Sequence, residues 1–230
     1  MEYSELARAT SERGDVVLRS RQEEAGPGTR TVLELRVNGI FVMDTQETTT
    51  EQALATSALQ LVADPRNVLV GGLGMGFTAH ALLGDPRVER VDVVELEDAL
   101  IGWMRDGTIP HGPSLLADQR IRVVNADIVT AVSEVHEPTY DLLLLDVDNG
   151  PGYLVHDANA AVYEARFLSR CRDVLNPDGV LVVWSASPAP ELLRHLEHVF
   201  GASDEQAFPV QLHDREEKYY LYRARVTSPA

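Results

Sequence analysis

Short apolar runs alternate with segments of helical periodicity along most of this chain, and no other feature of the sequence constrains the fold as strongly. The apolar runs cover residues 67–70, 90–95, 120–124, 140–146 and 179–184, and the helical segments after them cover 78–83, 98–105, 128–135, 160–174 and 190–200. Parallel strands require a crossover connection, which is usually a helix. The pattern therefore predicts an α/β fold with a mostly parallel sheet and helices on both faces.

The first part of the chain has a different pattern. Residues 15–21, 30–37 and 40–44 are short β-type runs, and Asn38-Gly39 separates the last two. Asn-Gly between two apolar runs is a strong hairpin signal because both residues tolerate positive φ. We therefore predict a small antiparallel β-appendage over residues 1–47 and one larger domain over residues 48–230, ending in strands at 207–213 and 218–226.

Composition excludes several classes of protein. With 36 acidic and 20 basic residues, the chain has a formal charge of −16 at pH 7, so no nucleic-acid partner is expected. Its single cysteine, Cys171, cannot form an internal disulfide. No apolar run approaches the roughly 18 residues of a membrane helix, and the N-terminus lacks a signal-peptide pattern. We therefore expect a cytoplasmic protein that does not bind a membrane.

The strand ends are the candidate sites, because ligands of open parallel sheets bind beyond the carboxyl ends of the strands. The first strand runs into a glycine-rich turn with Gly72, Gly74 and Gly76, followed by a helix. A dinucleotide-binding motif would require glycine where Phe77 stands. The spacing instead resembles the first motif of S-adenosylmethionine-dependent enzymes, and a purely structural turn is the alternative.

The second and third strands are each associated with a carboxylate. Glu95 ends the second strand, where a carboxylate can accept hydrogen bonds from both ribose hydroxyls; a solvated loop acid is the alternative. Asp127 follows the third strand, where adenosyl-binding folds place an acceptor for the adenine amino group, with Ile128 beside the ring. Asp127 is equally well placed as the N-cap of the next helix, and the two roles are compatible.

The fourth strand ends in a cluster of polar residues. Asp146 ends the strand, and Asp148, Asn149 and Tyr153 follow within a few residues. A carboxylate at the end of a buried strand can have a raised pKa and hold an amine. We predict Asp146 as the catalytic residue and the other three as the walls of an acceptor site; a hydrogen-bonded turn is the alternative.

With these four strand ends in order, the chain resembles the spermidine synthase family of aminopropyltransferases and their class I S-adenosylmethionine-dependent methyltransferase relatives. The resemblance runs from about residue 30 to 199 and is carried by residues 35–46, 68–89, 94–97, 140–146 and 176–181. It implies a Rossmann-like methyltransferase fold, S-adenosylmethionine or its decarboxylated form as cofactor, and a homodimer. It also implies that Gln46 and Leu96 contact the nucleoside.

Three departures from the family pattern concern the part of the site that holds the amine. Met75 stands where the synthases have an aspartate that contacts the amine of the decarboxylated cofactor. Residues 53–59 supply no Tyr or His where the family has a Tyr-His-Glu stretch, and Asn149 replaces a second aspartate. The nucleoside half of the site is retained, whereas the diamine half is altered.

We therefore expect an S-adenosylmethionine-dependent methyltransferase that acts on a small, amine-bearing acceptor. Asp146 would orient the amine and relay its proton. One alternative is an aminopropyltransferase that uses decarboxylated S-adenosylmethionine, and another is a non-catalytic interaction protein with an adenosyl-binding fold. His195 and His198 lie on one predicted helix, but no Cys or carboxylate pattern beside them indicates a metal site.

Overall fold

Two β-sheets organise the structure, a computed structural model in which residues 3–26, 28–212 and 215–227 are described. The first sheet contains β1 (Tyr3–Ser11), β2 (Gly14–Ala25), β3 (Gly28–Val37) and β4 (Ile40–Asp44). These strands pair antiparallel in chain order. Asn38 and Gly39 join β3 to β4 with positive φ values of 52° and 78°, as the Asn-Gly signal predicts.

The second sheet has seven strands. They are β5 (Asn67–Gly71), β6 (Arg90–Glu95), β7 (Ile121–Asn125), β8 (Tyr140–Leu145), β9 (Leu175–Ser185), β10 (Ser203–Leu212) and β11 (Arg215–Arg225). Their order across the sheet is β10-β11-β9-β8-β5-β6-β7. Strands β5 to β9 pair in parallel, whereas β11 pairs antiparallel with β9 and β10. Strands β6 and β7 lie on one side of β5, whereas β8 and β9 lie on its other side. Parallel sheets form a ligand crevice at such a reversal of strand order.

Helices cover both faces of the second sheet. They are α1 (Thr49–Leu61), α2 (Phe77–Leu83), α3 (Asp98–Asp106), α4 (Gly112–Leu116), α5 (Ile128–Ser133), a 3₁₀ helix (Asp157–Tyr163), α6 (Ala165–Val174) and α7 (Pro190–Phe200). The longest, α1, has 13 residues. Within the described ranges, no helix has the length and apolar character needed to cross a membrane.

The four consecutive leucines of β8 show how the core is divided. Leu142 and Leu144 belong to the apolar cluster that includes residues of α1 to α4, whereas Leu143 and Leu145 belong to the cluster formed with α5, α6 and α7. All four are at most 1 % exposed. Successive side chains of a strand point to opposite faces, so a strand covered on both sides must be apolar at every position. The predicted α/β architecture is confirmed.

The first sheet packs into the same core as the larger sheet. Val16, Leu18 and Leu35 of β2 and β3 lie in one apolar cluster with Leu54 of α1 and Leu142 of β8. The N-terminal strands are therefore bound to the main sheet by buried apolar surface. The division into residues 1–47 and 48–230 stays a prediction.

Some elements differ from the sequence-based expectation. Strand β1 was not predicted, because it is an edge strand with mostly exposed side chains and no apolar alternation. Helix α4 is only five residues long and was also missed. The predicted helix 160–174 is interrupted at Glu164, whose extended backbone separates the 3₁₀ helix from α6. The predicted strand 207–213 begins earlier, at Ser203, and His213 lies outside the described residues.

A fully buried arginine anchors the first sheet to the start of α1. The side chain of Arg21 is 0 % exposed and forms salt bridges to Glu23 at 2.8 Å and to Asp44 at 3.3 Å. It also donates to the side-chain oxygen of Gln46. The other oxygen of Asp44 accepts the backbone N–H groups of Gln46 and Glu47. This network fixes the chain between β4 and α1, because each buried charge has a partner.

Replacing Arg21 with methionine should strongly destabilise the protein. The substitution leaves the carboxylate of Asp44 buried without its charge partner, which costs about 3–5 kcal/mol of the free energy of unfolding. Arg66→Met is the matched control, since Arg66 makes only exposed ion pairs and its loss should leave the unfolding midpoint nearly unchanged. Urea denaturation of both variants measures the difference; equal midpoints would refute the importance of the buried network.

Candidate functional site

A cleft lies beyond the carboxyl ends of β5 to β8, with the first sheet as its roof. We call it the strand-end cavity; it has a volume of about 840 Å³, part of it open to solvent. Val16, Leu35 and Val37 of β2 and β3 form the apolar roof. Glu95 and Asp146 both line the cavity, so open space separates these two carboxylates, which stand at the ends of β6 and β8, the strands on either side of β5.

The glycine-rich turn brings three strand ends together. Gly72 has a φ of 98°, and a Cβ atom there would lie 2.2 Å from the carbonyl oxygen of Asp146. Its own N–H donates to the carbonyl of Val94 at 2.8 Å. Only glycine satisfies both the positive φ and this close approach. Gly74 lines the cavity, whereas Gly76 caps α2 and packs on Leu115 outside the lining.

Glu95 is held in one orientation by the backbone. One carboxylate oxygen accepts the N–H of Leu73 at 2.9 Å and the other accepts the N–H of Glu97 at 2.7 Å. The residue is only 8 % exposed, which excludes the alternative of a solvated loop acid. Burial raises the pKa of Glu95, while these backbone hydrogen bonds lower it. Each ionised oxygen retains a further acceptor position, so Glu95 can still receive two hydroxyl donors from a ligand.

The neighbouring strand end forms the other part of this wall. Asp127 is the N-cap of α5, because one of its carboxylate oxygens accepts the N–H of Thr130 at 3.0 Å. Asp127 also lines the cavity, so its second oxygen can accept from a ligand. Ile128 supplies a buried apolar wall, and Leu96 lines the cavity beside Glu95. Both roles expected of Asp127 are therefore geometrically compatible.

Asp146 has the environment expected of a proton acceptor. One of its oxygens accepts the hydroxyl of Thr78 at 2.9 Å. Burial raises the pKa of Asp146 to about 6, and the Thr78 hydrogen bond opposes this rise. The carboxylate is therefore a stronger base than a solvated aspartate, as its position at the end of a buried strand predicts.

Asp148 organises the loop that follows β8. Its backbone is left-handed, with a φ of 65°. Its carboxylate accepts the N–H groups of Asn149, Val155 and His156 and the side-chain amide of Asn159. The charge of Asp148 is thus balanced by four donors, and the loop it holds forms one side of the strand-end cavity.

Four of the predicted site residues do not line a cavity. Gln46 is exposed and its side chain is bonded to Arg21, and Gly76 is packed as described above. Asn149 is buried and donates to the carbonyl of Phe41 at 3.3 Å. Tyr153 is 58 % exposed. Their predicted roles in ligand binding stay predictions.

A second cavity adjoins the first at Asp146 and was not foreseen. We call it the acidic cavity; it has a volume of about 590 Å³ and shares Val42, Gly74, Asp146 and Asp148 with the strand-end cavity. Three further carboxylates line it: Asp44, Glu47 and Glu51. Phe41, Trp184 and Tyr219 form aromatic walls. No lysine or arginine lines either cavity in the part of the chain that is described.

Glu51 is the most perturbed of these additional carboxyl groups. Burial, together with repulsion from Asp146, raises the pKa of Glu51 to about 8. The residue lies in the first turn of α1, whereas Glu47 precedes the N-cap Thr48. Both acids were visible in the sequence, but nothing there indicated that Glu51 faces the end of β8.

An ion pair closes the roof over the cavity. The guanidinium of Arg13, in the turn between β1 and β2, contacts the carboxylate of Glu97 at 2.9 Å. It also donates to the carbonyl of Leu96 at 3.1 Å. The first sheet is thereby tethered beside the strand end that carries Glu95.

Among the described residues, no group of three or more His, Cys, Asp or Glu side chains is arranged to hold a metal ion.

Sequence comparison places this geometry in a family. Residues 36–208, about three quarters of the chain, match the spermine/spermidine synthase domain. The chain belongs to the spermine/spermidine synthase family. The resemblance inferred from the strand-end motifs is therefore confirmed.

The curated relatives of this chain include proteins named as aminopropyltransferases and proteins named as N-methyltransferases. A polyamine aminopropyltransferase of Prochlorococcus marinus (strain MIT 9312) is 26 % identical over 159 residues, covering 66 % of this chain and 54 % of the relative. Putrescine N-methyltransferase 3 of Nicotiana tabacum is 27 % identical over 128 residues, covering 55 % of this chain and 32 % of the relative. The chain thus spans about half the length, or less, of the curated relatives it matches.

Solved structures show the fold of the family member. A spermidine synthase in complex with the transition state analogue AdoDATO superposes with a TM-score of 0.81 at 18 % identity, covering 96 % of this chain and 73 % of that one. Spermidine synthase from Thermotoga maritima gives 0.79 at 19 % identity, with coverage of 96 % and 72 %. The expected Rossmann-like methyltransferase fold is confirmed.

Replacing Gly72 with alanine should destabilise the protein by at least about 2 kcal/mol, because the new Cβ would need positive φ and would overlap the carbonyl of Asp146. Gly102→Ala is the matched control. Gly102 lies within α3 and a Cβ there meets no atom within 4 Å, so this change should stabilise the helix by about 0.5–1 kcal/mol. Urea denaturation compares the two; similar effects of both changes would contradict the assigned role of Gly72.

Proposed function

We propose that this protein transfers an aminopropyl group from decarboxylated S-adenosylmethionine to an amine acceptor. The observation that carries the proposal is the meeting of two cavities at Asp146, both lined by carboxylates and without lysine or arginine among the described residues. Such a site favours cationic ligands on both sides of the reacting atoms. The family's polyamine aminopropyltransferases support the same reaction type.

The strand-end cavity fits the nucleoside of this cofactor. Glu95 would accept from the two ribose hydroxyls, while Asp127 would accept from the adenine amino group beside Ile128. The carboxylate of ordinary S-adenosylmethionine would face Asp146 and Asp148 without a lysine or arginine to balance it. The decarboxylated form carries only an ammonium group on this part of the molecule, and nearby carboxylates favour that charge.

The structure changes the interpretation of Met75, which favoured methyl transfer in the sequence. Met75 is 0 % exposed and lies in the apolar core, so its side chain does not line either cavity. A residue that faces the core cannot report which cofactor the cavity accepts. The buried position of Met75 thus removes one ground for preferring methyl transfer, and the relatives' names support the aminopropyl alternative that we propose.

Asp146 has a defined part in the proposed reaction. The bound cofactor supplies a sulfonium leaving group, so the chain has mainly to align the acceptor and manage its proton. An amine of pKa near 10 costs about 4 kcal/mol to deprotonate at pH 7. The carboxylate of Asp146 would orient the ammonium and accept this proton, and Thr78 keeps one of its oxygens in place.

Methyl transfer is the second candidate function. The match to tobacco putrescine N-methyltransferase 3, which is 27 % identical over 128 residues, favours it. The expected homodimer, the cytoplasmic location and the absence of a nucleic-acid partner stay predictions. The non-catalytic alternative is an outcome of the first experiment below.

Binding and product analysis test the proposed reaction. Calorimetry should show decarboxylated S-adenosylmethionine binding about tenfold or more tightly than S-adenosylmethionine, because the latter's carboxylate is repelled. Mass spectrometry of an amine mixture incubated with both cofactors should show addition of aminopropyl groups. Methylated products alone would support the second candidate. Absence of both binding and products would support a non-catalytic protein.

Asp146→Asn should lower turnover by about 10²–10⁴-fold, because asparagine cannot accept the proton. Affinity for 5′-methylthioadenosine, the nucleoside left after transfer, should change by less than about twofold. The folded-state pKa of Asp146 is raised, so its ionised form costs stability as pH rises above the unfolded pKa. The variant should therefore be at least as stable as the wild type at pH 7. Asp173→Asn, an exposed change on α6, is the control; unchanged turnover of Asp146→Asn would refute the assignment.

A further inference from the structure

The carboxylates of the acidic cavity are not equally balanced by donors. Asp44 is paired with Arg21 and accepts two backbone N–H groups. Asp148 accepts four donors. The charges of these two residues are therefore already compensated within the protein, and they have little need of a cation from a ligand.

Glu51 and Asp146 differ from them because neither has a cationic partner among the described residues. The side chain of Glu51 accepts the hydroxyl of Thr50 at 3.0 Å, and that of Asp146 accepts the hydroxyl of Thr78 at 2.9 Å. The Thr78 oxygen also lies 3.5 Å from the carbonyl oxygen of Glu51, so Thr78 joins the two residues. Two poorly solvated carboxyl groups that share one cavity cannot both ionise without cost.

We propose that Glu51 recognises the charge of the acceptor: it holds a proton in the empty site and ionises when an ammonium group enters the acidic cavity beside Asp146. This inference rests on the proposed function, since it concerns the acceptor half of the same site. It adds Glu51, in the first turn of α1, to the residues of the loop after β8 that the sequence interpretation had named as walls of the acceptor site. Because an ionised Glu51 pairs with a positive charge, the acceptor would be an amine that binds in its protonated form.

Among the residues that the structure describes, none that lines the acidic cavity with Glu51 is a lysine or arginine. The titratable and charged groups that face it from the elements packed around it are Asp44 with its partner Arg21, Glu47, Asp146, Asp148 and Tyr219. Arg21 is engaged on the far side of Asp44 and does not line the cavity. Burial and the Asp146 charge raise the pKa of Glu51 to about 8, so its protonated form predominates at pH 7 in the empty site.

The aromatic wall of the cavity suits an alkylammonium ligand. Trp184 and Tyr219 meet edge to face, with ring centroids 5.0 Å apart, and both line the acidic cavity. Aromatic faces attract cations and contact alkyl chains. The indole N–H of Trp184 is buried without a hydrogen-bond partner within the described ranges, so this wall has one donor that the protein leaves unused.

The proton balance of acceptor binding follows from this arrangement. The acceptor enters as R–NH₃⁺, and the O–H bond of the Glu51 carboxyl group breaks. Its proton leaves to solvent, while the carboxylate stays and pairs with the ammonium. The acceptor itself stays protonated at this stage, since amines of this kind have a pKa near 10. The later transfer of the acceptor's own proton to Asp146 is a separate step.

Calorimetry tests the inference without requiring turnover. The full chain, saturated with 5′-methylthioadenosine, is titrated with 1,4-diaminobutane, 1,3-diaminopropane or n-butylamine in phosphate and in Tris at pH 7. These buffers differ in ionisation enthalpy, so the comparison counts released protons. We expect close to one proton released for each amine bound. Amine affinity should rise about tenfold from pH 6 to pH 7, because fewer protons must then be displaced from Glu51.

Two variants and a control make the test specific. Glu51→Gln should abolish proton release and flatten the pH dependence of amine affinity. Glu51→Asp keeps a carboxyl group and should retain proton release with weaker binding. Glu197→Gln, an exposed change on α7, should behave as the wild type. Failure of the wild type to release protons would overturn the inference, as would unchanged release in Glu51→Gln.

The outcome is separable from that of the proposed function. If no amine in the panel binds while 5′-methylthioadenosine does, the role of Glu51 is refuted, whatever cofactor the protein uses. If amines bind with proton release but no aminopropyl product forms from decarboxylated S-adenosylmethionine, the proposed reaction fails and the role of Glu51 is supported.

Discussion

The close approach of Gly72 to the backbone of Asp146 is the contact on which the site depends. It joins the ends of β5 and β8 where the order of the sheet reverses, and it is possible only without a side chain at Gly72. The same turn places the N–H of Leu73 on Glu95. One backbone contact therefore sets the distance between Glu95 and Asp146 across the strand-end cavity.

Burial of acidic groups then gives this geometry its chemistry. Glu95 and Asp148 receive backbone and amide donors, which fix the orientation of their carboxylates. Asp146 and Glu51 each receive one side-chain hydroxyl, and burial raises the pKa of both. The carboxylates of the two cavities therefore differ in the number of donors that hold them in place.

Much of this arrangement was predictable because it is local in sequence. The alternation of apolar runs gave the parallel sheet, and glycine or carboxylate residues at strand ends gave Gly72, Glu95, Asp127 and Asp146. The acidic cavity was not predictable, because it depends on how α1 and β11 pack against β8, and such tertiary contacts leave no periodic signal. Met75 shows the same limit: its position in the motif was clear, but only the structure shows that it faces the core.

The sharing of Val42 and Gly74 between the two cavities has an evolutionary consequence. The ends of β5 to β7 line the strand-end cavity, whereas most of the acidic cavity is lined by β4, α1 and β11. Substitutions on the second set of elements leave the first set intact. A lineage with this scaffold can therefore reshape the acidic cavity by substitutions along α1 while the strand-end cavity is inherited unchanged.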